Sequence, residues 1–528
     1  MILGDPAPAA AGRAHGLNRL TLDEVLRHRA QQCPDALALV DAANRASFAD
    51  GEQRRLTYAE ADRSIAAIAG RLRQMGLPTD SVIGIQLPNI VENILVMLGV
   101  LRAAMIPAPL PLLWRRADAV AALARVGAKA LVTCSRVGAF DHGQFAIHVA
   151  AEVFSIRYVC AFGKNLPDGV VSFDDLLAAA RTEPAPPDRE RQNGSTAHIA
   201  AVTFDSGEGG PVAVARNHAE LFAGGLAVLL ESGLAQNSNV LSTLAPSSFA
   251  GICLTLVPWL LSGGTLVLHH AFDPAVLARQ WRSDRCATLV LPAPAAFLLA
   301  EMGGFAVGEP ASIIAAWRAP ERLALSPPWR EPNTLFVDVS IFGEAALVPA
   351  RRNSDGRPSP IPLGPIIAPR AGAGGIVVGE LVRSDAGSVA VRGPMVPYHA
   401  FPPGIEQSGL PYFKIGHGGL VDSGYPCRID SITNAVVVTA PPPGTVSVGG
   451  YRFPLRDLRD IVGRIDSAAT LAALPDPVVG QRLIGNAADR DAMQAALAAA
   501  GANPIMVGAF RERKPTTLRD AHPPAAEP

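Results

Sequence analysis

Lysine is nearly missing from this 528-residue sequence: Lys129, Lys164, Lys414 and Lys514 are the only ones, and arginine supplies the rest of the 46 basic side chains. Chemistry that needs an ammonium point charge has few candidates, whereas bidentate recognition of anions by guanidinium has many. Charge excess is missing too. With 47 acidic residues the net charge is -1, which excludes the basic footprint of a nucleic-acid binder and an acidic tail. The six cysteines, Cys33, Cys134, Cys160, Cys253, Cys286 and Cys427, form no C-x-x-C pair and have no histidine at metal-ligand spacing. No metal site is expected, and reduced, mostly buried cysteines in a cytoplasmic protein are. No basic start followed by an apolar run occurs in the first twenty residues, so no signal peptide is expected. The most apolar window, Gly251 to Leu268, is interrupted by Pro258 and Gly263-Gly264, which favours a buried helix followed by a strand over a membrane span.

Apolar residues make up 49% of the chain, enough for a large domain and a smaller one. Residues 1–16 read as a flexible arm. Thr21 with Glu24 three positions on is a capping-box spacing opening a helix to Ala30, ahead of a strand Ala36 to Val40. Leu56-Thr57-Tyr58-Ala59-Glu60 leads into a helix through Met75 with Ile65, Ile68, Ala69 and Leu72 on one face. A strand Val82 to Leu87 and an apolar helix Val91 to Ala104 follow. This alternation predicts an α/β fold with a largely parallel, buried sheet.

The stretch Thr203 to His218, TFDSGEGGPVAVARNH, holds the strongest candidate site. An apolar lead-in reaches Gly207, Gly209 and Gly210, which can adopt positive φ and turn backbone N–H groups toward phosphate oxygens. Asn217 with Glu220 is a second capping-box spacing, so the expected order is strand, glycine loop, helix. An ordinary glycine turn is the alternative reading of these residues. His269-His270 alternate across a strand, which argues against a shared metal.

The glycine stretch resembles the phosphate loop of the adenylate-forming superfamily, roughly TSGTTGxPKGVxxSH: Ser206-Gly207, Gly210, Pro211, Val214 and His218 match. The superfamily includes acyl-CoA synthetases and peptide-synthetase adenylation domains. The resemblance continues in LTYAEADRSIAAIAGRLRQMGL, VIGIQLPN and LGVLRAAMIPAPLPL, in Arg392-Gly393-Pro394, and in VSVGGYRFPLRDLRDIV at Val446 to Val462. It implies a large N-terminal domain of acyl-CoA synthetase type at 17–427, a small α+β domain at 428–519 and a tail at 520–528. Arg428 falls in the remnant of the hinge, Cys427 to Asp430. Helix Ala487 to Ala500 and a strand Ile505 to Phe510 complete the small domain.

The resemblance also implies ATP, magnesium and CoA as cofactors, and a small-molecule carboxylic acid or acyl-CoA as ligand, with a protein partner possible and no nucleic acid. Ser248, Phe249 and Gly251 match the stretch facing the acyl pocket. Phe342-Gly343-Glu344-Ala345-Ala346 matches YGxTE, whose threonine contacts the phosphate and whose glutamate binds magnesium; those two positions are Ala345 and Ala346 here, with Glu344 ahead of them. His417 replaces the aspartate that binds the ribose hydroxyls. Glu208 and Gly209 replace the loop hydroxyls, Val212 the loop lysine, and Lys514 to Arg519 contains no GK.

Each charge-assisted contact contributes about 1.5–3 kcal/mol, so losing three, after non-additivity, costs roughly 4 kcal/mol or more, about a thousandfold. Arg216, Arg351 and Arg352 are the candidate replacement cations. Two readings remain. In one, the chain keeps an acyl- or CoA-binding or regulatory role, through a metabolite or a protein partner, with ATP-dependent carboxylate activation impaired or lost. In the other, it is an active acid-thiol ligase that forms an acyl-adenylate through an altered site. No Cys-His or Ser-His-Asp spacing supports a third reading, a thioester-handling enzyme that dispenses with ATP.

Overall fold

The computed structural model describes residues 20–179, 196–305, 308–370, 374–476 and 479–511. The arm, the tail and the stretch Lys514 to Arg519 lie outside the described residues.

Local signals at the N-terminal end produce the expected elements. Thr21 caps helix Leu22–Gln32 and Thr57 caps Tyr58–Gln74, each with a reciprocal capping box from Glu24 or Glu60. Helix Val91–Arg102 is apolar nearly all round and nearly all of its residues are buried.

The fold is α/β. One sheet of eight strands runs in the order Ala346–Arg351, Leu335–Phe342, Ser312–Trp317, Cys286–Pro292, Asn239–Ser242, Leu266–Leu268, Leu37–Val40 and Arg55–Thr57. Its inner pairs are parallel and only the two edge pairs are antiparallel. A second, wholly parallel sheet orders Ile106–Pro109, Val82–Ile85, Ala130–Cys134, Tyr158–Phe162 and Val170–Ser172. Continuous apolar strands such as Ser312–Trp317, buried throughout, are what a doubly covered parallel sheet requires. Six antiparallel strands between Ile361 and Val438 form a third sheet.

The C-terminal region builds four strands and three helices around its own apolar core, with Val446, Phe453, Leu458, Leu483, Leu497 and Phe510 buried. One element differs from expectation: the segment expected as a strand from Ile505 is the helix Pro504–Gly508. Asn503 accepts from the Met506 amide as cap, and Pro504 at the first helical position needs no N–H donor. That punctuation overrides the β preference of Ile505 and Val507.

A buried charge cluster ties the end of strand Leu37–Val40 to helix Val91–Arg102. Arg45 bonds Asp41 at 2.5 Å and Glu92 at 2.6 and 2.8 Å, and Arg54 reaches Glu92 at 2.6 Å. Asp41 also accepts from the Val91 amide at 2.7 Å, so the cluster pins the loop Pro88-Asn89 that lines the cleft described below. Burial and the neighbouring Glu92 push the Asp41 carboxyl up to about 6. All six cysteines are free, and among the described residues no helix is long and apolar enough to cross a membrane.

Arg45→Met leaves two buried carboxylates without their shared guanidinium. It is expected to lower unfolding stability by about 3–5 kcal/mol, read from the denaturant midpoint.

Candidate functional site

The glycine stretch folds as a β-hairpin. Strands Ile199–Gly207 and Gly210–Asn217 pair antiparallel with Gly207 opposite Gly210, leaving Glu208 and Gly209 as the turn, and Gly209 sits at φ 79°. This corrects the expected order of strand, loop, helix: Val212 to Val214 continue a strand, and helix His218–Ser232 starts only after it. Its Asn217–Glu220 capping box forms as expected. His218 accepts from the Leu22 amide through Nδ1 at 3.2 Å, a structural contact to the first helix.

The hairpin's polar groups are already engaged by the C-terminal region. Gly209 N–H donates to Asp457 Oδ2 at 2.9 Å, from the first turn of helix Leu455–Ile465. Ser206 Oγ donates to the Arg452 carbonyl, and the Arg452 guanidinium pairs with Asp205. A carboxylate therefore accepts from the glycine turn where the resemblance implies a phosphate, while Glu208 is exposed at the tip. Burial works against the Arg452 proton, but Asp205 and the Tyr425 phenol outweigh it and the pKa is raised.

Arg452 also packs on the turn after strand Leu335–Phe342. Gly343 has φ 59°, and a Cβ there would collide with the guanidinium. Phe342 packs edge-on against Tyr425 with ring centroids 5.7 Å apart. The Glu344 amide donates to Asp205 Oδ2 at 3.1 Å, but its side chain turns inward. There Glu344 Oε2 accepts from the Thr203 hydroxyl at 2.6 Å and the Phe249 amide at 2.9 Å. Burial raises the Glu344 carboxyl pKa, partly offset by Arg216. Ala345 and Ala346 are buried and offer no side-chain donor or ligand.

The three arginines named from sequence line none of the cavities at the turn, and two of them, Arg216 and Arg352, are buried. Arg216 is 1% exposed, stacks on Phe249 at 3.7 Å and bonds the Glu344 and Ala345 carbonyls, so its charge stabilises the turn from behind. Arg351 bonds the Glu231 carbonyl at 2.7 Å, and Arg352 pairs with buried Asp338 at 2.9 Å. His417 and Arg428 are exposed and line none of the clefts described here.

Of the pocket candidates only Ser248 faces a cavity. Phe249 is fully buried, and Gly251 is glycine because a Cβ would collide with the Ala245 carbonyl. The residues that sequence reading missed are Asp205, Arg318, Arg452 and Asp457. Arg452 lies inside the quoted VSVGGYRFPL stretch, where the shortage of lysine is the signal that directs attention to arginine.

Two cavities meet at Arg318, whose Nη2 donates to Ser248 Oγ at 3.2 Å. The smaller, 80 Å³, lies between Asp205, Ser248, Gly343, Gly450 and Arg452. It has room for a few waters and falls well short of the roughly 300 Å³ or more typical of small-molecule sites. A phosphate finds the Gly209 N–H already taken by Asp457, and Glu344, spent on Thr203 and Phe249, does not present a magnesium ligand.

The larger cleft measures 640 Å³ and opens at the C-terminal ends of the central parallel strands, between Leu113, Phe140, Leu244, Phe272, Trp317 and Tyr451. The other guanidiniums on its border are engaged. Arg115 bonds the Leu112 and Trp114 carbonyls and covers Phe140 at 3.8 Å, and Arg322 bonds the Asp476 carbonyl at 3.0 Å. Bonds to neutral carbonyls leave the Arg115 and Arg322 charges in place, so the cleft joins three guanidiniums to an apolar wall, and an apolar acid matches both. A third groove of 350 Å³ runs along the outer side of the glycine turn past Asp118, Asp457 and Asn503.

The model of the AMP-binding enzyme family matches residues 26–321. The salicyl-AMP ligase / salicyl-S-ArCP synthetase of Mycobacterium tuberculosis is 34% identical over 182 residues, covering 34% of this chain and 31% of that protein. The 2-hydroxy-7-methoxy-5-methyl-1-naphthoate–CoA ligase of Streptomyces carzinostaticus is 30% identical over 302 residues, covering 54% of this chain and 50% of that protein. The chain thus spans about a third to a half of the length of these relatives. Among solved structures, the amide bond synthetase McbA of Marinactinospora thermotolerans superposes with TM-score 0.69 at 17% identity, covering 92% of this chain and 94% of that one. At that identity the likeness is one of fold.

Arg452→Met is expected to free the glycine turn, raising amide hydrogen exchange across residues 205–210 at least about tenfold, about 1.4 kcal/mol. Asp118 sets a pH dependence. Burial pushes its carboxyl up to about 6, against the bonds from the Arg115 amide and Asn503. The folded pKa exceeds the unfolded value, so this contribution is fully present below about pH 4 and lost as pH rises through about 6. Between about pH 5 and 7 the wild type is expected to lose about 1–1.5 kcal/mol relative to Asp118→Asn, measured by urea unfolding at each pH.

Proposed function

Because the chain belongs to the AMP-binding enzyme family, we propose that it is a cytoplasmic carboxylate-binding member in which ATP-dependent activation is impaired or lost. Its ligand is an apolar, aromatic carboxylic acid held in the 640 Å³ cleft. The observation that carries this reading is the self-filled phosphate cradle. Asp457 takes the Gly209 N–H, and the Asp205–Arg452 pair narrows the cavity on the inner side of the turn to 80 Å³, leaving the 350 Å³ groove on its outer side. Arg318 supplies the acid's anchor. It sits where the two cavities meet, and among the described residues no carboxylate pairs with it. A half-buried guanidinium with a hydroxyl neighbour, Ser248, suits a carboxylate bidentately. The names of the two ligase relatives point to the same ligand class, aromatic acids.

The same contact supports one second reading, an active ligase. Arg452 and Asp457 belong to the C-terminal region, so the cradle is filled only while that region is docked, and undocking would free Gly209 and enlarge the space.

Calorimetric titration separates the two. An aromatic acid such as cinnamate is expected to bind with Kd of about 1–100 μM, roughly -8 to -5.5 kcal/mol, and millimolar Mg-ATP to give no heat. Replacing Arg318 by Met is expected to weaken the acid at least about tenfold. Micromolar binding of Mg-ATP, or AMP release that depends on the acid, would overturn the proposal in favour of the ligase.

A further inference from the structure

The C-terminal region closes over helix Arg116–Arg125 as well as over the glycine turn. Arg116 Nη2 donates to the Ala499 carbonyl at 2.9 Å, and the Ala117 amide to the Gly501 carbonyl at 3.2 Å. The approach is close, since a Cβ on Gly501 would lie 2.8 Å from the Arg116 Cβ. The next residue, Asp118, meets the cap of helix Pro504–Gly508, and its carboxyl takes bonds from the Arg115 amide and the Asn503 side chain. Its Oδ2 is buried with no hydrogen-bond partner among the described residues. Leu458, Leu497 and Met506 share one core, so the helix that carries Asp457 and the cap at Asn503 move as a unit.

A carboxylate is acceptor-only, so an ionised Asp118 buries an oxygen that no donor serves, and the neutral acid loses far less on burial. The charged groups around it are few. At its own helix stand Arg115, Arg116, which also holds Glu152 of helix His142–Glu152 at 3.4 Å, and Arg125, which bonds the Pro411 carbonyl at 3.2 Å. The hairpin brings Asp205, paired with Arg452, and its Arg216 is turned to the core. Across the 350 Å³ groove helix Leu455–Ile465 presents Asp457, Asp460 and Arg464, two acids to one base. Arg115 favours the ionised form, but burial outweighs it and pushes the carboxyl up to about 6. Undocking returns the group to water and toward its ordinary value. The docked value is the higher of the two, so this contribution to docking is fully present below about pH 4 and lost as pH rises through about 6.

From this seam we infer that Asp118 is a pH-sensitive latch on the glycine turn: with its proton it lets the C-terminal region dock and fill the turn, and without it release is favoured and the Gly209 N–H is uncovered. The inference rests on the self-filled cradle of the reading above and adds what regulates it. Ala117–Gly501 and Gly209–Asp457 are contacts of the same docked unit, so the two open together.

The test is amide hydrogen exchange of the full chain between pH 5 and 7, corrected for intrinsic exchange rates, on the wild type and on Asp118→Asn. The Ala117 and Gly209 amides report docking, and the Ile314 amide in strand Ser312–Trp317 reports opening of the core. Ala117 and Gly209 are expected to be less protected than Ile314 at every pH. In the wild type their protection is expected to fall together by about three- to tenfold from pH 5 to 7, and in Asp118→Asn by less than about twofold. Level protection in the wild type overturns the inference, whether or not the variant folds. So does a fall that the variant shares, or equal protection of all three amides, which means that the region opens only when the whole chain unfolds. No ligand enters these measurements, so their failure leaves the carboxylate-binding reading standing, and that reading falls separately by the nucleotide titration above.

Discussion

The ion pair between Asp205 and Arg452 is the contact on which the arrangement of the site depends. Asp205 stands one residue ahead of Ser206-Gly207 on the hairpin and Arg452 on the strand Tyr451–Pro454, so their contact docks the C-terminal region against the glycine turn. Once docked, Asp457 falls within 2.9 Å of the Gly209 amide and Gly450 packs onto Arg318. The same docking supplies Gly450 and Tyr451 as one wall of the large cleft. One contact between half-buried charges thus closes the polar cavity and completes the apolar one.

Behind this surface the chain spends its buried charge on scaffold. Arg45 with Asp41 and Glu92, Arg102 with Asp23, and Arg352 with Asp338 are close, enclosed pairs that hold helix to sheet, helix to helix and strand to strand respectively. Arg216 belongs with them, stacked on Phe249 beneath the Glu344 carbonyl. Such pairs are costly to break because each leaves an uncompensated charge in a poorly solvating interior. They are also closed to ligands. This separates arginines that shape the core from those, Arg115, Arg318, Arg322 and Arg452 among them, that border cavities.

Loss of the superfamily's polar pattern and retention of its framework have one physical basis. Framework segments are read through burial, and the apolar strands Ser312–Trp317 and Leu335–Phe342 keep it. The turn residues are read through individual donors and ligands, and a change at one position removes the interaction outright. Gly343 keeps its turn at φ 59°, while Glu344 is drawn inward by Thr203 and the Phe249 amide. The backbone geometry of the motif survives without its chemistry.

From sequence alone, the α/β class, the capping boxes at Thr21, Thr57 and Asn217, the parallel strands and the family resemblance are legible, because each rests on local periodicity or a short motif. Proximity across the chain is not. Arg216 lies on the hairpin itself yet points into the core, whereas Arg452, 247 residues from Asp205 in sequence, meets the hairpin's tip. Sequence distance carries no information about which face of a strand a side chain occupies once the hairpin turns at Gly209. The helix at Pro504 and the cleft lined in part by Asn89, His142 and His270 mark the same boundary. The first was decided by an Asn-Pro cap competing with apolar residues, and the second exists only because segments that follow three different strands converge on one cleft.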